Sequence, residues 1–465
     1  MVTRREFATL AAGALAAPAY DAPARTGSPA PGGRAAEALA LRRFAESTSP
    51  RGLEAAADRK WRAGWDRLQA QASSMPDGPY VVGLRRQLTW FNEGHTTVLP
   101  FEFLGAVPTA LSSGVWGTSL PLQAKAFADG LFITQAADEG LALLGARVTS
   151  IEGVAIEKIV TDHIAAWPGE NPAWGHNWSG SLLHSPGLLR GLGVISGPMD
   201  AAISIEARLP DGAKVSANIR PGPGAGHGGV AVERKPAVCE QLEASKSGGN
   251  LAIPLASGSA LYVSIDDMAD SERLSFDNFT SEILSSAQDP RIQRVVIDVR
   301  RNGGGDNYLG ERLRHELARS RFNRPGGLYV LAGPATFSAA QNFANRLERE
   351  TFALFVGEPT GSAPNLVGDA KIFVGAVTGI TAMVATKRWF DGGPDDRRRW
   401  IFPDLHVPSL FADWLAGRDP ALDAALGHVA TDADDFGKRI RYFERASQTQ
   451  EWNPYWASTG IDAVR

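Results

Sequence analysis

Apolar and polar positions divide the chain into three textures. Leu53, Ala56, Trp61, Trp65 and Leu68 recur at helical spacing between Leu41 and about Ala72, with a break near Pro50 and a stop at Pro76-Asp77-Gly78. This predicts an N-terminal helical region, ordered from near Leu39, with its tryptophans in a core. From 129 to 218 the period changes to two: 130–134, 144–153 and, after an insertion, 203–212 are short alternating runs joined by glycine turns. They predict a small β-rich domain. From Ser259 to Val356 strand and helix alternate. Strands are expected at 260–266, 294–300, 328–332 and 352–356, with helices around Phe276 to Leu284, at 309–319 and at 338–349. Such alternation predicts right-handed crossovers and a mainly parallel sheet. The fold class is α/β, with the helical region at 39–128, the β-rich domain at 129–218, a linker at 219–258 and a βαβ-repeat core at 259–428. A tail, 429–465, is acidic, then basic, then aromatic (Trp452, Tyr455, Trp456).

Composition narrows the function. The 465 residues are 44% hydrophobic, enough to bury one large core or several modest ones. Basic and acidic residues number 47 and 51, so no electrostatic term favours nucleic acid or an anionic membrane. Cys239 is the one cysteine, which excludes an internal disulfide and a CxxC site. No metal or cofactor is implied.

The start of the chain reads as an address. Thr3-Arg4-Arg5-Glu6-Phe7 looks like a twin-arginine export signal, followed by a weakly apolar run at 8–19 and A-x-A sites at Ala17-Pro18-Ala19 and Ala22-Pro23-Ala24. The alternative is an alanine-rich start to a cytoplasmic protein. The expectation is a signal peptide at 1–24, a flexible leader at 25–38 and a mature protein in the periplasm or otherwise outside the cytoplasm, without a membrane span.

Three unusual segments follow successive strands of the core: Arg301-Asn302-Gly303-Gly304-Gly305, Pro334-Ala335-Thr336-Phe337-Ser338-Ala339-Ala340 and Gly357-Glu358-Pro359-Thr360-Gly361. In a parallel sheet they converge at the carboxyl edge, where ligands bind. The glycines let backbone N–H groups approach a substrate, and Ser338 opens a helix whose positive end favours an oxyanion. A serine nucleophile needs a base. None of the lysines completes an S-x-x-K motif, and there is no G-x-S-x-G elbow and no H-E-x-x-H helix. His95, in the polar turn Asn92-Glu93-Gly94-His95-Thr96-Thr97, is the most suggestive histidine, although from local sequence alone it could equally be a surface or satisfied core residue. Arg300 and Arg301 beside the glycines suit a carboxylate or a salt bridge, the latter being the commoner use.

Together these segments resemble the tail-specific protease (C-terminal processing peptidase) and tricorn-core serine peptidases. The matching motifs, in family order, are Glu93-Gly94-His95-Thr96 for D-G-H-T, Asp298-Val299-Arg300-Arg301-Asn302-Gly303-Gly304-Gly305 for D-x-R-x-N-x-G-G, Ser338-Ala339-Ala340, Val356-Gly357-Glu358-Pro359-Thr360-Gly361 and Pro403-Asp404. The 144–153 stretch resembles the LGxxVxxIxG segment of PDZ domains, leaving open whether the β-rich domain binds peptide or is structural. The resemblance implies a crotonase- or Clp-protease-like spiral core, Ser338 as nucleophile, and Ala339 with Gly303 or Gly304 as oxyanion donors. Processing peptidases carry a lysine base where this chain has Ala363. The tricorn-type branch instead uses the histidine of the D-G-H-T turn with a glutamate after the fourth strand, which fall here on His95 and Glu358. Glu93 replaces the family's aspartate, and Gly94 stands where tricorn has a serine. The implied function is an exported serine peptidase acting on peptides or proteins. A non-catalytic binding protein on the same scaffold, and an esterase or amidase acting on non-peptide substrates, are the alternatives.

Overall fold

Six strands in the order Leu251–Pro254, Ala260–Ser264, Arg294–Asp298, Leu328–Ala332, Leu354–Gly357 and Leu405–His406 form the sheet that carries the site. The first pair is antiparallel and the others are parallel. In this computed structural model, residues 33–99, 118–198, 200–223, 229–237, 240, 249–255, 258–271, 274–431 and 434 are described. The proposed signal peptide, most of the leader, Cys239 and the tail's aromatic residues lie outside them.

Register explains the apolar runs. Val263, Ile297, Val330 and Phe355 lie side by side across four strands and face one core. The adjacent row, Tyr262, Val296, Tyr329 and Leu354, faces a second. Both faces are buried, so these strands need continuous rather than alternating hydrophobicity. The three crossover helices, Phe276–Ser286, Glu311–Arg319 and Ala339–Glu350, all contribute to the first core, while Pro420–Gly427 covers the second. The α/β class and its alternating core are as the sequence predicts. The edge strands Leu251–Pro254 and Leu405–His406 are additions, the first within the segment read as linker.

The β-rich region is a seven-stranded antiparallel sheet that includes Gly130–Ala136, Arg147–Ile151, Ile203–Arg208 and Lys214–Ile219. Upstream, the helices are Gly33–Thr48, Gly52–Ala57, Arg59–Gln71 and Asp77–Leu88. Trp61 and Trp65 are buried as expected, but Leu53 is 88% exposed. Pro76-Asp77-Gly78 opens a helix rather than only closing one: Pro76 is the extended N-cap and Asp77 lies in the first turn, where a carboxylate complements the helix dipole. Among the described residues no helix is long and apolar enough to cross a membrane.

A third, small sheet joins distant parts of the chain. Thr97–Val98 pairs antiparallel with Thr381–Val384, Thr97 opposite Met383 and Val98 opposite Ala382. This fixes the His95 turn against chain that follows the helix Ala339–Glu350.

Candidate active site

The D-x-R-x-N motif builds the floor of the site. Buried Asp298 accepts from Tyr262 Oη at 2.8 Å and from Arg300, whose guanidinium also spans to Asp419. Arg301 pairs with Asp266. Both arginines therefore serve ion pairs. The Asn302 side chain donates to Ile265 O at 2.9 Å and accepts the Gly304 N–H at 2.8 Å, while Asn302 O receives the Phe337 N–H at 3.1 Å. One buried asparagine thus ties a strand end, the glycine run and the turn that carries Ser338.

Ser338 caps the helix Ala339–Glu350 with φ 54° and ψ −123°, a conformation that costs a non-glycine residue about 1–3 kcal/mol and persists only where its surroundings impose it. Here they do: Thr336 Oγ1 donates to Val299 O at 2.9 Å, and Gly361 N donates to Thr336 O at 3.1 Å. Gly304, at φ 120°, lies directly over the serine, and a Cβ there would stand 2.6 Å from Ser338 Cβ and 3.1 Å from Ala339 N. Gly304→Ala should therefore lower kcat by at least about a hundredfold, a cost of the size seen when an oxyanion site is disturbed. A variant with kcat close to wild type would show that the approach is not needed.

The His95 turn is closed by side chains as well as backbone. Thr96 Oγ1 donates to Glu93 at 2.8 Å and accepts the Ala385 N–H at 3.0 Å. His95 Nε2 lies 2.9 Å from Ser338 Oγ. Its ring stacks on Phe337 with centroids 4.5 Å apart, and Phe337 stacks on Trp174 at 4.0 Å. Gly94 is required by this stack, because a Cβ there would come within 2.5 Å of the Phe337 ring. Burial pushes the His95 pKa down to about 4, well below the ordinary imidazole value, so the ring is neutral at pH 7. Nδ1 has no hydrogen bond of good geometry, and the Val367 backbone acts on the ring in the opposite direction to burial, favouring its protonated form.

Glu358 is not brought to His95. Its backbone follows the strand Leu354–Gly357, and its carboxyl interacts with the Ser409 backbone and with the charges of Lys125 and Arg300. Burial raises its pKa to about 7. Ala363 is buried, and its neighbour Ser362 accepts the Ser338 N–H at 3.4 Å, so this segment borders Ser338 without bringing a lysine to it. Among the described residues no group of three or more His, Cys, Asp or Glu is placed to hold a metal ion.

The insertion within the β-rich region supplies residues the sequence reading did not assign to the site. Asn171 caps the short helix Pro172–Asn177 and donates through Nδ2 to Thr360 O at 3.1 Å and Arg399 O at 2.7 Å, which brings Trp174 onto Phe337. The Asn171-Pro172 pair is a helix-start signal that could have located this cap. Preceding it, Glu170 points at the His95 turn: a carboxyl oxygen lies 3.2 Å from where a Cβ on Gly94 would stand, and neither oxygen has a hydrogen bond of good geometry.

Burial raises Glu170 to about 8 and Glu93 to about 7. Each is raised above its unfolded value, so from about pH 4.5 to about 8 the native state keeps protons that the unfolded chain has lost. Stability from these groups is therefore present at low pH and falls as pH rises through that window. Glu170→Gln should gain stability relative to wild type between pH 5 and pH 8, by an amount on the order of a few kcal/mol in urea denaturation. A constant difference across that range would rule out ionisation of Glu170 as the cause.

No family model matches the chain, and no curated protein matches it in sequence. Among solved structures it is similar to mature CPAF complexed with lactacystin, with a TM-score of 0.54 and 14% identity over 88% of this chain and 99% of that one. Mature CPAF alone gives a TM-score of 0.54 and 14% identity over 84% and 96%. A looser overlap, with a TM-score of 0.36 and 13% identity, covers 88% of this chain and 37% of the tricorn protease, and adds nothing to the fold assignment. The chain has the fold of CPAF.

Proposed function

We propose that the chain is a serine peptidase of the tail-specific and tricorn-core type, hydrolysing peptide bonds through an acyl-enzyme on Ser338 with His95 as general base. The observation that carries this reading is the 2.9 Å approach of His95 Nε2 to Ser338 Oγ, two residues 243 positions apart. A neutral, buried imidazole bonded to a strained serine at a helix start fits nucleophilic catalysis better than ligand binding.

Ser338 Oγ attacks the scissile carbonyl carbon as its proton passes to His95 Nε2. The carbonyl oxygen becomes an oxyanion facing the Ala339 N–H and the Gly303 N–H; the Gly304 N–H is already donated to Asn302. The imidazolium gives its proton to the leaving amine, and the C–N bond breaks. Water then attacks the acyl-enzyme, losing its proton to the same nitrogen, and Ser338 leaves with that proton. Glu358 makes no hydrogen bond to the imidazole and takes no part in these proton transfers. The acid limb of kcat/KM is expected near pH 4 rather than 6.5, because burial depresses the base.

The proposal includes export by the twin-arginine route, supported by Arg4, Arg5 and the alanine-rich run after them. With Arg4 and Arg5 both changed to Lys, precursor should accumulate in the cytoplasm; unaltered secretion would refute the assignment. Digestion of a peptide library tests the activity. Cleavage at internal or terminal peptide bonds is expected, whereas hydrolysis of small esters with no peptide cleaved would make the chain an esterase.

A further inference from the structure

Large exposed aromatic side chains are informative when they cluster, because single ones are common and clusters mark binding surfaces. Tyr308 is 66% exposed and Phe390 56%. Tyr308 meets the half-buried Trp389 edge-on, with ring centroids 6.4 Å apart. These residues belong to two loops that arrive at the catalytic pair from different sides of the sequence.

Each loop is anchored to the site. Tyr308 follows the glycine run, and its N–H is held by Asp306 Oδ1 at 2.8 Å. Its neighbour Asn307 accepts from Asn342 Nδ2 at 2.9 Å, and the Asn342 N–H in turn donates to Ser338 O at 3.1 Å. Trp389 follows the strand Lys387–Arg388, which pairs with Val367–Gly368, and its N–H donates to Leu366 O at 2.8 Å. Gly368 sits between the indole and the catalytic imidazole: a Cβ on it would stand 3.6 Å from both Trp389 Nε1 and His95 Cε1. Lys387 Nζ lies 3.6 Å from the Trp389 ring centroid and fixes one side of the indole.

We infer that Tyr308 and Trp389 form a subsite that takes a large apolar or aromatic side chain of the substrate next to the scissile bond. The inference rests on the peptidase reading for the identity of the ligand, a peptide, but not on turnover. Exposed aromatic rings carry little conformational entropy and present broad apolar faces, so a substrate side chain laid against them removes apolar surface of both from water. The Tyr308 loop is tied through Asn307 and Asn342 to Ser338, and Trp389 through Leu366 to the strand Val367–Gly368 beside His95, so the subsite is held in register with the attacking atom.

Binding to the full chain carrying Ser338→Ala separates recognition from cleavage. Two blocked pentapeptides, alanine throughout except for phenylalanine or alanine at the centre, are compared by titration calorimetry. The phenylalanine peptide is expected to bind at least about tenfold more tightly. Adding Tyr308→Ala or Trp389→Ala should reduce that preference to about threefold or less. Tyr308 projects into solvent, so its truncation leaves the core untouched. Equal affinity for the two peptides, no binding of either, or a preference that survives both substitutions would overturn the inference. Loss of the peptidase reading appears separately, as wild-type chain that binds these peptides and cleaves none.

Discussion

Ser338→Ala is expected to abolish peptide hydrolysis while leaving the fold intact. The reacting oxygen is the one atom removed, and without it the chain has no acyl-enzyme, so kcat should fall by several orders of magnitude. Stability should change little, because Ser338 Oγ is bonded to His95 rather than to the core, and alanine meets the same positive φ that serine already adopts. The measurement is kcat on a cleaved library peptide beside thermal unfolding of both proteins. Retained turnover in a folded variant would remove Ser338 from the reaction.

The second large effect concerns the base. His95→Ala should also lower kcat by several orders of magnitude, and it should remove the ionisation near pH 4 from the kcat/KM profile. The ring is buried and stacked on Phe337, so the alanine variant also leaves a cavity; His95→Gln keeps most of the volume without a usable base and controls for that loss. Glu358→Gln should cost far less than either, since the carboxyl makes no hydrogen bond to the imidazole and lies among Ser409, Lys125 and Arg300. A His95→Gln variant with near-normal kcat and an unchanged acid limb would show that another group accepts the serine proton.

The sequence made the core legible because its strands are buried on both faces: Val295-Val296-Ile297 and the runs beside it have no reason to be continuous otherwise. Ser338, His95 and the glycine run were legible as types of residue in motifs at strand ends. That Ser338 and the glycine run converge follows from the parallel sheet; that His95 joins them came from the family resemblance and not from local pattern, since it depends on Thr97–Val98, a two-residue strand with no periodicity to detect, pairing across the chain to Thr381–Val384. Pro76 reads as a stop because proline ends a helix, yet the same residue caps the helix that follows it. Glu358 illustrates a limit of position: following the right strand does not fix which way a side chain faces. Trp174 and Glu170 lay in an insertion without pattern, and their roles come from a stack through Phe337 and from burial, neither of which has a local signature.

Exposure of the full chain to a fluorophosphonate probe, followed by mapping of the modified peptide by mass spectrometry, tests the central claim most directly. The account predicts one phosphonylated residue, Ser338, with labelling lost in Ser338→Ala and strongly slowed in His95→Gln. A wild-type chain that stays unlabelled, or a Ser338→Ala chain labelled as fast as wild type, would contradict it.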